Sequence, residues 1–394
     1  MNTPKVNKRI LALDILRGFT IAGMILVNNP GSWGHIYAPL RHAEWNGLTP
    51  TDLVFPFFMF IMGISTYISL KKYNFEFSQS AALKIVKRTI VIFLIGCAIG
   101  WFSRFCRYWV SAPEELSFFE NLWASVWTFD RMRILGVMQR LALCYGAASI
   151  VALTVKHKRI PYIIATILIG YFVILMCGNG YEYNETNILS VVDRAILTPV
   201  HMYKDNGIDP EGLLSTLPSI AHVLLGFYVG KLMLDGNKSQ DRMSFLNSQI
   251  VTLFLVGTIL TFAGFLLSYG CPINKKIWSP TFVLTTCGLA SSFLALLIWI
   301  IDVKGKKKWS LFFEAFGVNP LFMYVLGGVL SILFGCIRFP WEDGMISIHT
   351  FLYKIVLMPI FGETGGSLAF ALLFVTINWC IGYQLYKRKI YIKI

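Results

Sequence analysis

One histidine stands where proton chemistry would be useful. Residues 40–63 read LRHAEWNGLTPTDLVFPFFMFIMG, so His42 lies in a polar phrase that runs straight into a long apolar stretch. Histidine changes charge near neutral pH and is suited to general-base work. Thr49-Pro50-Thr51-Asp52 has the marks of a helix start. Thr49 can cap, Pro50 suits the first helical position, and Asp52 is spaced to close a capping box. The positive end of that helix would face outward beside His42 and favour an anion or a developing oxyanion. Trp45 and Asn46 share the phrase and, with Asp52, are candidates to meet a substrate. The plainer reading is an ordinary interfacial histidine. His35, His201 and His349 fall on the outer side, His222 within the sixth span and His157 in the cytoplasm, none in a comparable setting.

Polar residues inside apolar spans are costly and are functional candidates by default. The first span, LALDILRGFTIAGMILVNN, places Asp14 and Arg17 three apart on one face, where they can pair. Asn28 follows Arg17 by eleven residues, almost three whole helical turns. Asp14, Arg17 and Asn28 therefore form one stripe from the inner to the outer end of the span. It is either the lining of a passage or simply an ion pair and a helix-ending asparagine. In RMRILGVMQRLALC, Arg133 and Arg140 share a face seven residues apart, and Gln139 and Arg140 lie nearly two turns below the outer surface. Such an arginine must face protein, water or a ligand; a structural salt bridge is the plain alternative. Asp209 and Glu211 in the outer loop NGIDPEGLLSTLPSI could grip an amine or sugar hydroxyls, or mark a solvated turn. Asn319-Pro320, near the inner end of the ninth span, frees backbone groups that need partners elsewhere, or only kinks the helix.

The elements that position these residues are membrane helices. The chain has 394 residues, 56% hydrophobic and 14% charged, with mean hydropathy +0.61. A soluble domain carries about 25% charged residues, and the apolar runs are near the ~20 residues that cross a bilayer. The spacing predicts an all-α, polytopic membrane protein of ten spans, about 10–29, 52–70, 89–106, 134–155, 160–178, 216–234, 249–269, 281–301, 311–336 and 366–386, with 350–361 re-entrant or interfacial. The first apolar run lacks a small-residue cleavage site, so no cleavable signal peptide is expected. The chain is read as one membrane domain, residues 1–394, with no solenoid repeat or nucleotide-binding motif.

The net charge of +14 does not point to nucleic acid. Its basic residues concentrate in alternate loops, among them Lys71 and Lys72, Lys156 to Arg159, Lys304 to Lys308, and Lys387 to Lys389, while most acids fall in the others. This positive-inside pattern places both termini in the cytoplasm and His42 outside. The eight cysteines are scattered, without metal or redox spacing, and read as small packing residues. No metal is expected.

Several longer phrases carry a resemblance. LALDILRGFTIAGMILVNNPG, RHAEWNGLTPTDLVFPFFMFIMG, RILGVMQRLAL, IDPEGLLSTLPSIAHVLLGFYVGKLM and INKKIWSPTFVLTTCGLASSFLALLIWIIDVKG resemble heparan-α-glucosaminide N-acetyltransferase and its bacterial relatives, in the family's order and over most of the chain. The chain looks like the membrane core without the luminal N-terminal domain of the animal enzyme. The resemblance implies transfer of acetyl from cytosolic acetyl-CoA, as co-substrate, to the amine of a terminal glucosamine across the membrane. His42 matches the catalytic histidine and Asn28 the active-site asparagine. Asp14 and Arg17 match an LDxxRG pattern also seen in membrane O-acyltransferases. Those relatives carry histidine where this chain has Asn28, which favours the glucosaminide branch. Arg17, Asp14, Gln139, Arg140 and Asn319 become candidates to hold the donor. Trp45, Asn46, Asp52, Asp209 and Glu211 become candidates to hold the acceptor. A bacterial inner-membrane homodimer, with the acceptor site facing the periplasm, is the implied setting. Rival readings are an amino-sugar transporter, an O-acetyltransferase of an envelope polysaccharide, and an inactive scaffold subunit.

Overall fold

The computed structural model describes residues 10–392 apart from 114, 204, 236–240 and 343. Fourteen helices and one two-stranded hairpin make up these described residues. In chain order the helices are α1 (Leu11–Asn28), α2 (Pro50–Leu70), α3 (Gln79–Ser111), α4 (Phe118–Val126), α5 (Val137–Thr154), α6 (Ile160–Cys177), α7 (Ile188–Leu197), α8 (Thr216–Asp235), α9 (Arg242–Leu267), α10 (Pro280–Leu297), α11 (Leu311–Val318), α12 (Pro320–Cys336), α13 (Ile348–Thr350) and α14 (Met358–Lys387). The hairpin, β1 (Arg338–Trp341) and β2 (Gly344–Ser347), is antiparallel and joins α12 to α13.

The expected class, all-α and polytopic, is the one observed. Among the described residues, eight helical stretches are long and apolar enough to cross a membrane, and a bent pair would make nine. That pair is α11 and α12, which meet at 79° across Asn319. The expected single span 311–336 is therefore broken. Pro320 has no N–H to continue the ladder, and Asn319 leaves helical geometry at φ −125°, ψ 56°. The expected span 89–106 lies inside α3, which is not one of the eight. α3 runs for 33 residues, about 50 Å at 1.5 Å per residue, and carries Lys84, Lys87 and Arg88 before the apolar run and Arg104 and Arg107 at its far end.

The segment 350–361, expected to be re-entrant or interfacial, folds back on the helix that follows it. Helix continues from Ile348 to Lys387 by hydrogen bonding, but the backbone breaks at Gly362, with φ 71° and ψ 177°. A Cβ on Gly366 would lie 2.9 Å from Met358 Cα. Eight residues along a straight helix would separate these by about 12 Å, so 348–361 packs against the start of the final span as a helical hairpin.

Helices α1, α2, α5, α8 and α10 supply most of one large apolar core. α2 and α8 cross at small residues: a Cβ on Gly63 would lie 2.2 Å from Val223 O, and one on Gly226 would lie 2.2 Å from Phe60 O. Such contact lets two backbones approach where larger side chains would hold them apart, and it fixes the helix that begins beside His42. In contrast, α9 is strongly apolar yet little buried, exposing Phe254, Ile259, Phe262 and Leu266. An apolar helix without protein cover suits a lipid-facing position.

Candidate active site

The loop between α1 and α2 carries His42, and its last ten residues are tied to the helix that follows. Thr49 Oγ1 donates to Arg41 O at 2.7 Å, and Thr51 Oγ1 to Pro39 O at 3.1 Å. The loop before α10 closes the other side: Gly47 N donates to Ile273 O at 2.8 Å and Asn274 Nδ2 to Asn46 Oδ1 at 3.2 Å.

Asp52 sits at the third position of α2 with its side chain 1% exposed. Its Oδ2 accepts from Thr49 N and Ala43 N, both at 3.1 Å, and lies 2.9 Å from Thr49 Oγ1, whose one proton it shares with Arg41 O. This is the acidic side of the expected capping box. Its Oδ1 lies 2.6 Å from His42 Nδ1. An ionised carboxylate only accepts, so Nδ1 carries the proton that faces Asp52 and Nε2 points away from the carboxylate. The His42 side chain is 41% exposed, so a buried acid orients an accessible base. Asp52, expected among substrate ligands, thus spends both oxygens on the loop and the imidazole.

Lys275 completes the group. Its Nζ lies 3.0 Å from His42 Nδ1, 3.4 Å from Nε2 and 3.5 Å from Asp52 Oδ1. Burial lowers the lysine's pKa, with the nearby charges of Asp52 and Glu211 opposing. Two lysines in a loop expected to face outward run against the charge pattern of the chain. That mismatch was the signal in the sequence that Lys275 needed another reason.

Asp209 and Glu211 turn inward. Arg133 donates to both carboxylates, reaching Glu211 at 2.6 Å and Asp209 through Nη2 and Nε. Asp209 is fully buried and also accepts from Tyr203 N at 2.9 Å and Glu211 N at 3.0 Å. Burial would raise the Glu211 pKa, but Arg133 and Arg140 outweigh it and hold the group ionised. Arg133 and the loop amides take up both Asp209 oxygens, and Arg133 also takes Glu211 Oε2, so these acids brace a loop around Arg133. Sequence reading paired them with a ligand because an arginine 76 positions away is invisible to local spacing.

Arg140 is fully buried, donates through Nη2 to Gly212 O and Ser215 Oγ, and lies with its guanidinium 5.2 Å from the Trp278 ring. No salt bridge to Arg140 is found among the described residues, and its Nε and Nη1 have no hydrogen-bond partner there. Gln139 packs between α3 and α5, with Nε2 3.7 Å from Cys97 Sγ and its amide against Gly96. Asn319 is 2% exposed and occupied: Nδ2 donates to Ile390 O and Oδ1 accepts from Ile392 N, both at 2.8 Å. Asp14 and Arg17 pair at 2.9 Å as expected, and Arg17 reaches Ser65 on α2 at 2.9 Å.

Asn28, at the opposite end of α1, lines a cavity of about 1160 Å³ with Arg104, Arg107, Arg131, Arg133 and Tyr324. Four arginines and no carboxylate contribute to its lining. His42 is not part of that lining; Glu211, bonded to Arg133 of the cavity wall, is also within the electrostatic influence of Lys275. Trp45, three residues beyond His42, donates from Nε1 to Tyr181 O at 2.8 Å and stacks on Tyr183 with centroids 4.6 Å apart. Lys276 Nζ is 4.3 Å from the Tyr183 ring centroid and 2.8 Å from Asp205. No group of three or more His, Cys, Asp or Glu side chains able to hold a metal occurs among the described residues.

Fold and site together define a polytopic, helical membrane protein with an oriented histidine at one end of its bundle. Residues 9–264 match the family described as "Heparan-alpha-glucosaminide N-acetyltransferase, catalytic", and the chain belongs to that family. It is 26% identical to heparan-alpha-glucosaminide N-acetyltransferase of Homo sapiens and to that of Mus musculus, over 98% of this chain in both cases. The chain spans 60% of the length of these relatives.

Proposed function

We propose that the chain is a transmembrane acetyltransferase. Acetyl-CoA, held from the cytosolic side, gives its acetyl group to the amine of a glucosamine or related amino sugar at the His42 end. The observation that carries this reading is the oriented pair: buried Asp52 holds the His42 Nδ1 proton and leaves Nε2 turned away from the carboxylate, on a side chain that is 41% exposed. His42 Nε2 takes the proton from the acceptor nitrogen as that nitrogen bonds to the thioester carbon. The C–S bond breaks, the amide forms, and CoA leaves as a thiolate that receives the proton from the imidazolium. Asn28 is the candidate donor to the thioester oxygen, and Trp45, with Asn46, the candidate platform for the acceptor.

The opposite end of the bundle holds a pocket of about 470 Å³ lined by Leu11, Arg242, Lys387 and Lys389, with Glu314 also at its wall. A polyanionic nucleotide cannot cross lipid, and this basic pocket suits it. Arg17 and Asp14 lie between the two ends, where the pantetheine arm would pass. Arg140, with two unpartnered donors, is the further candidate to meet an amide of that arm. We assign the protein to the bacterial inner membrane, as a homodimer, with the His42 end outward.

The test uses purified protein in liposomes with acetyl-CoA and glucosamine. Free CoA thiol and N-acetylglucosamine should appear together and vanish in a folded His42→Ala protein. CoA release without acceptor would replace direct transfer by an acetyl-imidazole route. Base-labile products would indicate O-acetylation, and sugar uptake without turnover would indicate a transporter.

A further inference from the structure

Lys275 and a proton on His42 compete for the same carboxylate. Three groups meet within 3.5 Å: the Asp52 carboxylate, the His42 imidazole and the Lys275 ammonium. Asp52 alone would favour the imidazolium, because an opposite charge at contact distance stabilises the charged form. A second cation already at 3.0 Å from Nδ1 and 3.4 Å from Nε2 opposes it. Lys275 is held there, since its side chain is 17% exposed. On the basis of the acetyltransferase reading above, we propose that Lys275 is a positioning residue that supplies the cation Asp52 needs, so that the imidazole need not be that cation and Nε2 can take the acceptor's proton once the incoming amine displaces the Lys275 ammonium from it.

The surrounding charges agree with this division. From α2 the imidazole meets Asp52. From the loop before α10 it meets Lys275, with Lys276 beyond and committed to Asp205. From the loop before α8, Glu211 adds a negative charge near Lys275, but Arg133 already holds that carboxylate, and Arg140 lies behind it. On its own loop, Arg41 is exposed and donates to Ile36 O and Gly34 O, and Glu44 is exposed. The local sum at His42 is near zero with Lys275 and negative without it.

Lys275→Gln removes the charge and keeps most of the length; Lys275→Arg keeps the charge. The readout is the pH dependence of kcat/KM, with carbethoxylation of the His42 peptide followed in parallel by mass spectrometry. The second measurement reports the uncharged imidazole whether or not the protein turns over glucosamine. In Lys275→Gln both acid limbs should move upward, because the cation that opposes a proton on the imidazole is gone. The alkaline plateau should persist, and Lys275→Arg should restore the wild-type limbs. A uniform loss at every pH with unmoved limbs would reduce Lys275 to a structural role and overturn the proposal, as would limbs that move in neither assay. If Lys275→Gln does not fold, Lys275→Arg against wild type decides: a limb displaced upward despite the retained cation overturns it, and coincident limbs support it. Carbethoxylation that shifts as expected in a protein without transferase activity would uphold the placement of Lys275 and refute only the reaction assigned to His42.

Discussion

Replacing Asp52 with asparagine separates the charge of the carboxylate from the shape of the side chain. In the native site one oxygen lies 2.6 Å from His42 Nδ1, and the other collects the amides of Ala43 and Thr49 and the Thr49 hydroxyl. Asparagine offers one acceptor and one NH2. With its oxygen toward the two amides, its NH2 meets Nδ1 and drives the ring proton to Nε2, where the base is then occupied. With the oxygen toward His42, the NH2 meets two N–H donors and the loop loses its anchor. The first arrangement removes the general base, whose contribution is about 10²–10⁴ in rate, or about 3–5 kcal/mol of barrier at 1.36 kcal/mol per tenfold; the second keeps the tautomer but releases the loop that places it. The assay is CoA release with acetyl-CoA and glucosamine in liposomes, with kcat expected to fall by that factor. Thr49→Ala is the control. It removes a cap hydroxyl, at about 1 kcal/mol of stability, but keeps the carboxylate on the imidazole and should retain most of the activity. A folded Asp52→Asn protein with wild-type kcat near neutral pH would refute the orienting role.

Asn28→Ala should lower kcat by about 10²–10³, the usual cost of losing one oxyanion donor, without lowering the melting temperature. Arg133→Met strands the fully buried Asp209 carboxylate and should cost about 3–5 kcal/mol, read as a lower melting temperature; adding Asp209→Asn should recover much of it. Trp45→Ala should raise the acceptor KM and leave kcat nearly unchanged if the indole binds ground state and transition state alike. Asp193, on the short helix α7, is raised to about 6 from 3.8, chiefly by burial, with the amides of Leu213 and Leu214 opposing. A carboxyl raised in the folded state favours folding while protonated, so its contribution is present below about pH 4 and is lost as pH rises through 6. The melting temperature of Asp193→Asn should therefore gain on wild type across that window; a constant difference would count against the buried, ionising carboxylate.

The membrane class was readable because apolar run length answers directly to bilayer thickness. The His42–Asp52 pair was within reach because the residues lie ten apart and a cap has a local grammar, although the direction of Asp52 was not: the sequence reading sent it to substrate, and the fold turns it to the ring. Asn319 was read as a ligand contact because a polar residue inside an apolar run invites one. The backbone of Ile390 and Ile392 satisfies it instead, and no local pattern announces a partner some seventy residues on.

What the sequence by itself determined is therefore the set of quantities with a short period or a solvent reference: helix lengths, the proline and threonine that start α2, the Asp14–Arg17 spacing, and the alternation of charge between loops. Tertiary structure alone decided which polar groups meet. It brought Lys275 across 233 positions to His42, gave Asp209 and Glu211 to Arg133, and left Asn28 on an arginine-lined cavity. The physical reason is that apolar burial is non-directional and can be met by many packings, whereas a buried charge must find a particular partner at about 3 Å. That partner is chosen only when the helices carrying both have been placed.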